Sequence, residues 1–124
     1  MFLWTGKTKG TILVVEDDPQ LRTFYRSALM IYDYKVITAA DGVEALHRIE
    51  SDAPDLVVLD LGLPRLSGRD VRRELAAHII TENIPIVVVT GDTRDLDPTE
   101  FTCVLRKPVT TEALIDAVAN CLKK

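Results

Sequence analysis

The chain has 124 residues, of which 47% are hydrophobic and 27% are charged, and its formal net charge is −4. This length suits one domain with a sizeable core, and the acidic balance argues against a general nucleic-acid binder, which normally presents a basic surface. No apolar run approaches the roughly 20 residues that a membrane span needs. Cys103 and Cys121 are too few for a disulfide framework. We therefore expect a cytoplasmic single-domain protein that contacts neither a membrane nor nucleic acid directly.

Short, solidly apolar runs alternate along the chain with stretches of helical spacing. The solid runs predict five strands, at 11–15, 34–39, 55–60, 84–90 and 101–106. Helices are predicted after Asp18-Pro19, after Asp41, over 68–77, and after Thr110 or Thr111. Inner strands that are apolar on both faces and alternate with helices indicate a parallel sheet covered on both sides.

Apolar residues at helical spacing predict the buried faces of the first two helices. In the first helix, Asp18 suits the N-cap and Pro19 the first helical position. The predicted buried face of this helix comprises Leu21, Phe24, Tyr25, Ala28 and Leu29. That of the second helix comprises Val43, Leu46 and Ile49.

The connection between the fourth and fifth strands contains no convincing helix. Its sequence "GDTRDLDPTE" (91–100) carries four acidic residues, one proline and one glycine, so at most one helical turn fits. Five strand–helix units in this length fit the α/β class: a flavodoxin-like, doubly wound, five-stranded parallel sheet, (βα)5, with a truncated or missing fourth helix. We assign 10–124 to this domain and 1–9 to an N-terminal extension.

Polar residues follow four of the predicted strands. Glu16 and Asp17 follow the first strand, Asp60 ends the third, Thr90 ends the fourth, and Lys107 follows the fifth. Ligands of doubly wound sheets bind outside the carboxyl ends of the strands, where these residues meet. Three neighbouring carboxylates repel one another, and Mg²⁺, which prefers oxygen ligands, would relieve that repulsion. A metal, a cation, a hydroxyl donor and a carboxylate nucleophile are the recurring parts of phosphoryl transfer.

Four motifs in this order resemble the receiver domain of two-component response regulators. They are "VVEDD" at 14–18, "VVLDLGLPRLSG" at 57–68, "VVVTG" at 87–91 and "RKP" at 106–108. The segment "DGVEAL" at 41–46 also resembles the second helix of that family. Each motif alone is weak, but the four together are specific, and the resemblance runs from about residue 10 to the end of the chain.

The resemblance implies a phosphorylation switch in a two-component phosphorelay. Asp60 would be the phosphoacceptor, attacking the phosphohistidine of a partner histidine kinase or histidine phosphotransfer protein. Asp17 and Asp60 would bind Mg²⁺ directly, Glu16 would bind it through water, and the carbonyl oxygen of Gly62 would complete the protein ligands.

The resemblance also implies the groups that hold the phosphate. Lys107 would pair with Asp60 and then with its phosphate, while Thr90 and the amide of Gly91 would donate hydrogen bonds to phosphate oxygens. Asp60, Thr90 and Lys107 form the catalytic set, and the only reactions implied are phosphorylation and dephosphorylation of the domain itself. The family has a cis peptide bond before the residue that matches Pro108.

Two departures from the family keep other functions open. Val104 stands where the family usually carries Tyr or Phe, and the fourth connection is short. A pseudo-receiver that binds partners without phosphorylation is therefore the alternative. An enzyme of flavodoxin-like or haloacid-dehalogenase-like type fits less well, because "EDDP" at 16–19 would repel a flavin phosphate and Gly62 replaces the second aspartate that a dehalogenase needs. The sequence leaves open whether the domain acts alone, as a relay shuttle or phosphate sink, or within a hybrid kinase.

Overall fold

A computed structural model describes residues 8–62, 70–71, 73, 83–91 and 103–123. Five strands lie in it: β1 (Thr11–Val15), β2 (Lys35–Ala39), β3 (Leu56–Asp60), β4 (Ile86–Thr90) and β5 (Cys103–Arg106). They form one sheet in the order β2-β1-β3-β4-β5, and every neighbouring pair is parallel. This is the flavodoxin-like order, so the predicted fold class is confirmed.

Three helices are described over their full length: α1 (Pro19–Ile31), α2 (Gly42–Asp52) and α3 (Thr111–Leu122). Residues 70, 71 and 73 are also helical, within the helix predicted over 68–77. The rest of that helix lies outside the described residues, and so does 92–102, where the shortened fourth helix is predicted. None of the described helices is long and apolar enough to cross a bilayer.

Side-chain caps fix where the three helices begin. The Asp18 carboxylate accepts hydrogen bonds from the amides of Gln20 and Leu21 ahead of α1. Asp41 accepts from the Glu44 amide at 2.9 Å, and Thr110 accepts from the Ala113 amide at 3.1 Å. Each cap satisfies amides that the first helical turn leaves without a partner. The last helix is therefore capped by Thr110 and not by Thr111.

The sheet separates two apolar clusters. Alternate residues of the central strands face opposite sides, as the two-residue period of a strand requires. One cluster packs these strands against α1 and α3, and the other packs them against α2 and Val71. All five residues of β3 are buried, which places Asp60 at the end of the most enclosed strand.

Two residues predicted to lie on buried helix faces are exposed. Phe24 of α1 is 39% exposed, because the helix turns Tyr25, Ala28 and Leu29 towards the sheet. Val43 of α2 is also 39% exposed, because Gly42, Ala45 and Ile49 are the residues of that helix that are buried. In α1 the buried stripe is narrower than predicted, and in α2 it is shifted towards Ala45.

Candidate functional site

The register of the strands brings the predicted residues to one edge of the sheet. Val15 of β1 pairs with Leu59 of β3, so the next residues along these strands are Glu16 and Asp60. Asp60 in turn pairs with Val89 of β4, one residue before Thr90.

The fifth strand joins the same edge through its backbone. Arg106 pairs with Thr90, and the amide of the following residue, Lys107, donates to the Thr90 carbonyl oxygen at 2.8 Å. The peptide bond between Lys107 and Pro108 is cis, as the resemblance to receiver domains implies.

Three carboxylates form an acidic cluster at this edge. Glu16, Asp17 and Asp60 each offer one oxygen atom, and these atoms all lie within 4.8 Å of one another. Glu16 and Asp60 are 1% and 6% exposed, whereas Asp17 is open to solvent. The cluster is therefore anchored in the core and accessible from one side.

The ammonium group of Lys107 bridges two of the carboxylates. Its Nζ lies 2.8 Å from Glu16 Oε1 and 3.4 Å from Asp60 Oδ2. One positive charge thus faces three negative charges, which leaves an excess of two when all three carboxylates are ionised. That excess matches a divalent cation.

Burial and the neighbouring charges change the proton affinity of this pair. Burial raises the pKa of Glu16, and the negative charge of Asp60 adds to this, against the lowering effects of Lys107 and the Asp18 amide. Burial alone would lower the pKa of Lys107, but the attraction of Glu16 and Asp60 outweighs it and the pKa is raised. The lysine therefore stays charged, while Glu16 holds a proton more readily than a free carboxyl group.

Contacts to both oxygen atoms orient the Asp60 carboxylate. Oδ1 accepts a hydrogen bond from the Gly62 amide at 3.0 Å, and Oδ2 faces Lys107. The contact made by Gly62 uses its amide, whereas the prediction concerns its carbonyl oxygen.

The end of β4 supplies a buried hydroxyl group beside open space. Thr90 is 6% exposed, and the following residue, Gly91, is exposed. A Cβ atom added at Gly91 would meet nothing within 4 Å. The backbone at Gly91 is therefore accessible to a ligand.

Arg22 is part of the site, although the sequence reading did not single it out. Its Nη1 donates to the carbonyl oxygens of Glu16 at 2.9 Å and Asp17 at 3.3 Å. The guanidinium group thereby holds the backbone of both acidic residues. Its position one turn after the Asp18 cap was the available signal, since a side chain there can reach back to the preceding loop.

The donor set suits Mg²⁺. Hard divalent cations prefer oxygen ligands, and Mg²⁺ typically takes one or two carboxylates together with waters and phosphate oxygens. Asp17 is exposed, Asp60 is held at a fixed angle, and Glu16 is a buried acid beside them. Such a cluster can hold a cation next to a carboxylate nucleophile, with a lysine opposite.

Comparison with known proteins identifies relatives of this chain. A family model described as the response regulator receiver domain matches residues 12–119. Hybrid signal transduction histidine kinase D of Dictyostelium discoideum is 34% identical over 119 residues, which are 92% of this chain and 8% of that protein. Response regulator MprA of Mycobacterium avium is 47% identical over 80 residues, 64% of this chain and 34% of that protein. The chain thus spans only a part of these relatives.

A solved structure of a receiver domain is also similar to this chain. The receiver domain of a sensor histidine kinase of Pseudomonas aeruginosa has a TM-score of 0.84 and 26% identity, covering 93% of this chain and 98% of that one. A magnesium ion is coordinated in the active-site cleft of that protein. On the family match over residues 12–119, the chain belongs to the response regulator receiver domains of two-component signalling systems.

Proposed function

We propose that the chain is a phosphorylation switch whose acceptor is Asp60 and whose phosphorylation depends on Mg²⁺. Phosphorylation-based signalling is the role of its family. One observation carries the proposal: the Lys107 ammonium group contacts both Glu16 and Asp60, and the exposed Asp17 lies beside them. A purely structural ion pair would not need a third carboxylate at the solvent edge.

The reaction follows from the orientation of Asp60. An oxygen of its carboxylate attacks the phosphorus of a phosphohistidine, a P–O bond forms, and the P–N bond to the donor imidazole breaks. The leaving imidazole nitrogen keeps the electron pair of that bond and takes up a proton. Mg²⁺ bound at the carboxylates would neutralise charge on the transferring phosphoryl oxygens.

The remaining residues bind and orient the phosphoryl group. Lys107 moves from pairing with a carboxylate to pairing with the new phosphate, to which it presents a full positive charge. Thr90 and the Gly91 amide donate to other phosphate oxygens at the open end of β4. Asp17 and Asp60 would hold Mg²⁺ directly, Glu16 would hold it through water, and the Gly62 carbonyl oxygen would complete the protein ligands.

The partner we propose is a histidine kinase or a histidine phosphotransfer protein. We propose that the domain comprises residues 10–124 and binds this partner in the cytoplasm. Among the named relatives, one is a hybrid histidine kinase and one is a response regulator, and both are much longer than this chain. The domain itself would catalyse only its own phosphorylation and dephosphorylation, without contacting nucleic acid or a membrane directly.

Intact mass after incubation with acetyl phosphate and Mg²⁺ tests the proposal. Wild-type protein is expected to gain one phosphoryl group, and the gain should vanish in Asp60→Asn and in the presence of a chelator. Asp116→Asn, an exposed aspartate on α3, is the matched control and should be modified like the wild type. A phosphoryl group retained in Asp60→Asn would overturn the assignment.

One observation supports a second candidate, a pseudo-receiver that binds partners without phosphorylation. Val104 is 38% exposed on β5, where the family usually carries an aromatic residue that takes part in the response to phosphate. Wild-type protein that gains no mass from acetyl phosphate or from a histidine kinase would favour this candidate.

A further inference from the structure

Tyr25 of α1 carries a buried hydroxyl group that the proposed mechanism does not use. Its side chain is 1% exposed, and its oxygen has no hydrogen-bond partner among the described residues. Burying an unpaired hydroxyl costs free energy that a phenylalanine at the same position would avoid. Such a group calls for a partner that is engaged in another state of the protein.

Tyr25 lies on the helix that begins two residues after Asp17 of the acidic cluster. Tyr25 lies one helical turn after Arg22, whose guanidinium group contacts the backbone of Glu16 and Asp17. The ring packs in the cluster formed by α1, the central strands and α3.

The charged residues of the site affect the pKa of the Tyr25 hydroxyl group. Burial raises the pKa of Tyr25, and the strongest of the charge effects on it is the opposing one of Lys107, followed by those of Glu16, Asp60 and Asp18. Tyr34 lies in the same cluster, yet burial alone raises its pKa. Of these two buried tyrosines, only Tyr25 is electrostatically coupled to the site.

Lys107 has a donor that matches this acceptor. An ammonium group carries three N–H donors, and a phenolic oxygen accepts as well as donates. Among the residues described, the ammonium group donates a hydrogen bond to Asp60 Oδ2 and forms an ion pair with Glu16 Oε1, which has no hydrogen-bond partner. Lys107 therefore has a third N–H donor beyond these two contacts, and the oxygen of Tyr25 has no partner among the described residues.

We propose that Tyr25 is a positioning residue for Lys107: its hydroxyl oxygen accepts the third N–H of the ammonium group when Lys107 turns from Glu16 towards the phosphate on Asp60. This rests on the proposed function. A charged donor gains more from a hydrogen bond than a neutral one. The hydroxyl would then hold the ammonium at the angle that the phosphorylated site requires.

Tyr25→Phe and Tyr34→Phe form a matched pair for the test, because each removes one hydroxyl from the same apolar cluster. Phosphorylation by acetyl phosphate with Mg²⁺ is followed by intact mass at several acetyl phosphate concentrations. Tyr25→Phe should lower the limiting rate by about tenfold or more, the effect of losing one charge-assisted hydrogen bond. The half-saturating concentration should change little, and the melting temperature of the unphosphorylated protein should not fall, because the hydroxyl has no partner among the described residues in that state. Tyr34→Phe should leave the rate unchanged.

A second readout concerns Lys107 directly. The ¹⁵N NMR signal of its ammonium group, recorded with Mg²⁺ and the phosphoryl mimic beryllofluoride, should shift in Tyr25→Phe and not in Tyr34→Phe. Equal rates and equal Lys107 signals in the two variants would overturn the inference and leave the proposed function standing. Wild-type protein that takes no phosphoryl group, with Asp60→Asn behaving identically, would overturn both.

Discussion

At the scale of single residues, Arg22 determines how the acidic pair is presented. Its guanidinium group donates to the carbonyl oxygens of Glu16 and Asp17, so it fixes the loop that carries both side chains. It also adds positive charge behind the cluster without occupying a carboxylate oxygen. The carboxylates therefore stay available to a metal ion.

Replacing Arg22 by methionine should weaken Mg²⁺ binding. The two carbonyl oxygens would lose their donor, and the loop would no longer hold Asp17 in place. Loss of such outer partners typically lowers metal affinity by about tenfold or more. Isothermal titration with Mg²⁺ measures the effect, and Arg26→Met, an exposed arginine on the same helix, is the control. Equal affinities in the two variants would contradict this role.

Glu16 should make the metal-free protein less stable as the pH rises. Its pKa is raised in the folded state above its ordinary value of 4.5, so the native state binds the proton more tightly than the unfolded state. The resulting stabilisation is complete below pH 4.5 and is lost as the pH rises through the folded-state pKa. At neutral pH the protein therefore holds a carboxylate whose ionised form burial disfavours.

Glu16→Gln tests this reasoning, because glutamine keeps the shape and an acceptor oxygen but cannot ionise. We expect its melting temperature at pH 7 with chelator to exceed that of wild type by about 3–5 °C, on the order of 1 kcal/mol for a domain of this size. The advantage should shrink towards pH 4.5. Calorimetry at several pH values measures the difference in melting temperature and its pH dependence. A melting temperature of Glu16→Gln below that of wild type at pH 7 would refute the argument.

That Asp60, the acidic pair and Lys107 meet at one edge of the sheet could be predicted from sequence, because each stands where a predicted strand ends. Arg22 and Tyr25 could not. The contacts of Arg22 are to backbone carbonyl groups, whose direction depends on the conformation of the loop. Tyr25 stands at helical spacing among apolar residues, so its sequence position indicates core packing and says nothing of its hydroxyl group.

At the scale of elements, the strands were predicted to within one or two residues where both ends are described. Their runs of apolar residues on both faces leave few alternatives in a parallel sheet. The buried faces of the helices were less well predicted, as Phe24 and Val43 show. Periodicity locates an apolar stripe, but packing against the sheet decides which residues at its edges are buried, and that depends on contacts distant in sequence.

The cap of α2 offers a prediction at this scale. Asp41 accepts from the Glu44 amide at 2.9 Å, and Glu44 in turn accepts from the Ala40 amide at 3.2 Å. Asp41→Ala removes the first of these bonds and should lower the free energy of unfolding by about 1 kcal/mol. Urea denaturation measures the loss, with Asp41→Asn as the variant that keeps a cap.

Because α2 contributes no residue to the acidic cluster described above, the two variants at Asp41 should be phosphorylated by acetyl phosphate at wild-type rates. An Asp41→Ala protein as stable as Asp41→Asn would show that the cap contributes nothing. A slowed phosphorylation in both would instead link α2 to the site.

At the scale of the whole molecule, the acidic edge formed by Glu16, Asp17 and Asp60 destabilises the folded domain. Two strands end in or beside carboxylates that repel one another or are poorly solvated, and a single ammonium group beyond a third strand offsets them. A cation bound only by the folded state would relieve this repulsion and stabilise the entire domain by mass action. We therefore expect the melting temperature to rise with Mg²⁺ concentration, since the strands that carry the ligands run through both apolar clusters.

Asp17→Asn separates this effect from general screening, because Asp17 is the exposed member of the cluster and its loss leaves the core intact. Stabilisation by a bound ligand grows with the logarithm of its concentration above the dissociation constant, reaching about 2.7 kcal/mol at a hundredfold excess. Differential scanning calorimetry at constant ionic strength should show this rise in wild type and little of it in Asp17→Asn. An equal rise in both proteins would mean that Mg²⁺ acts as a screening ion, and the acidic edge would then have to be explained without a metal.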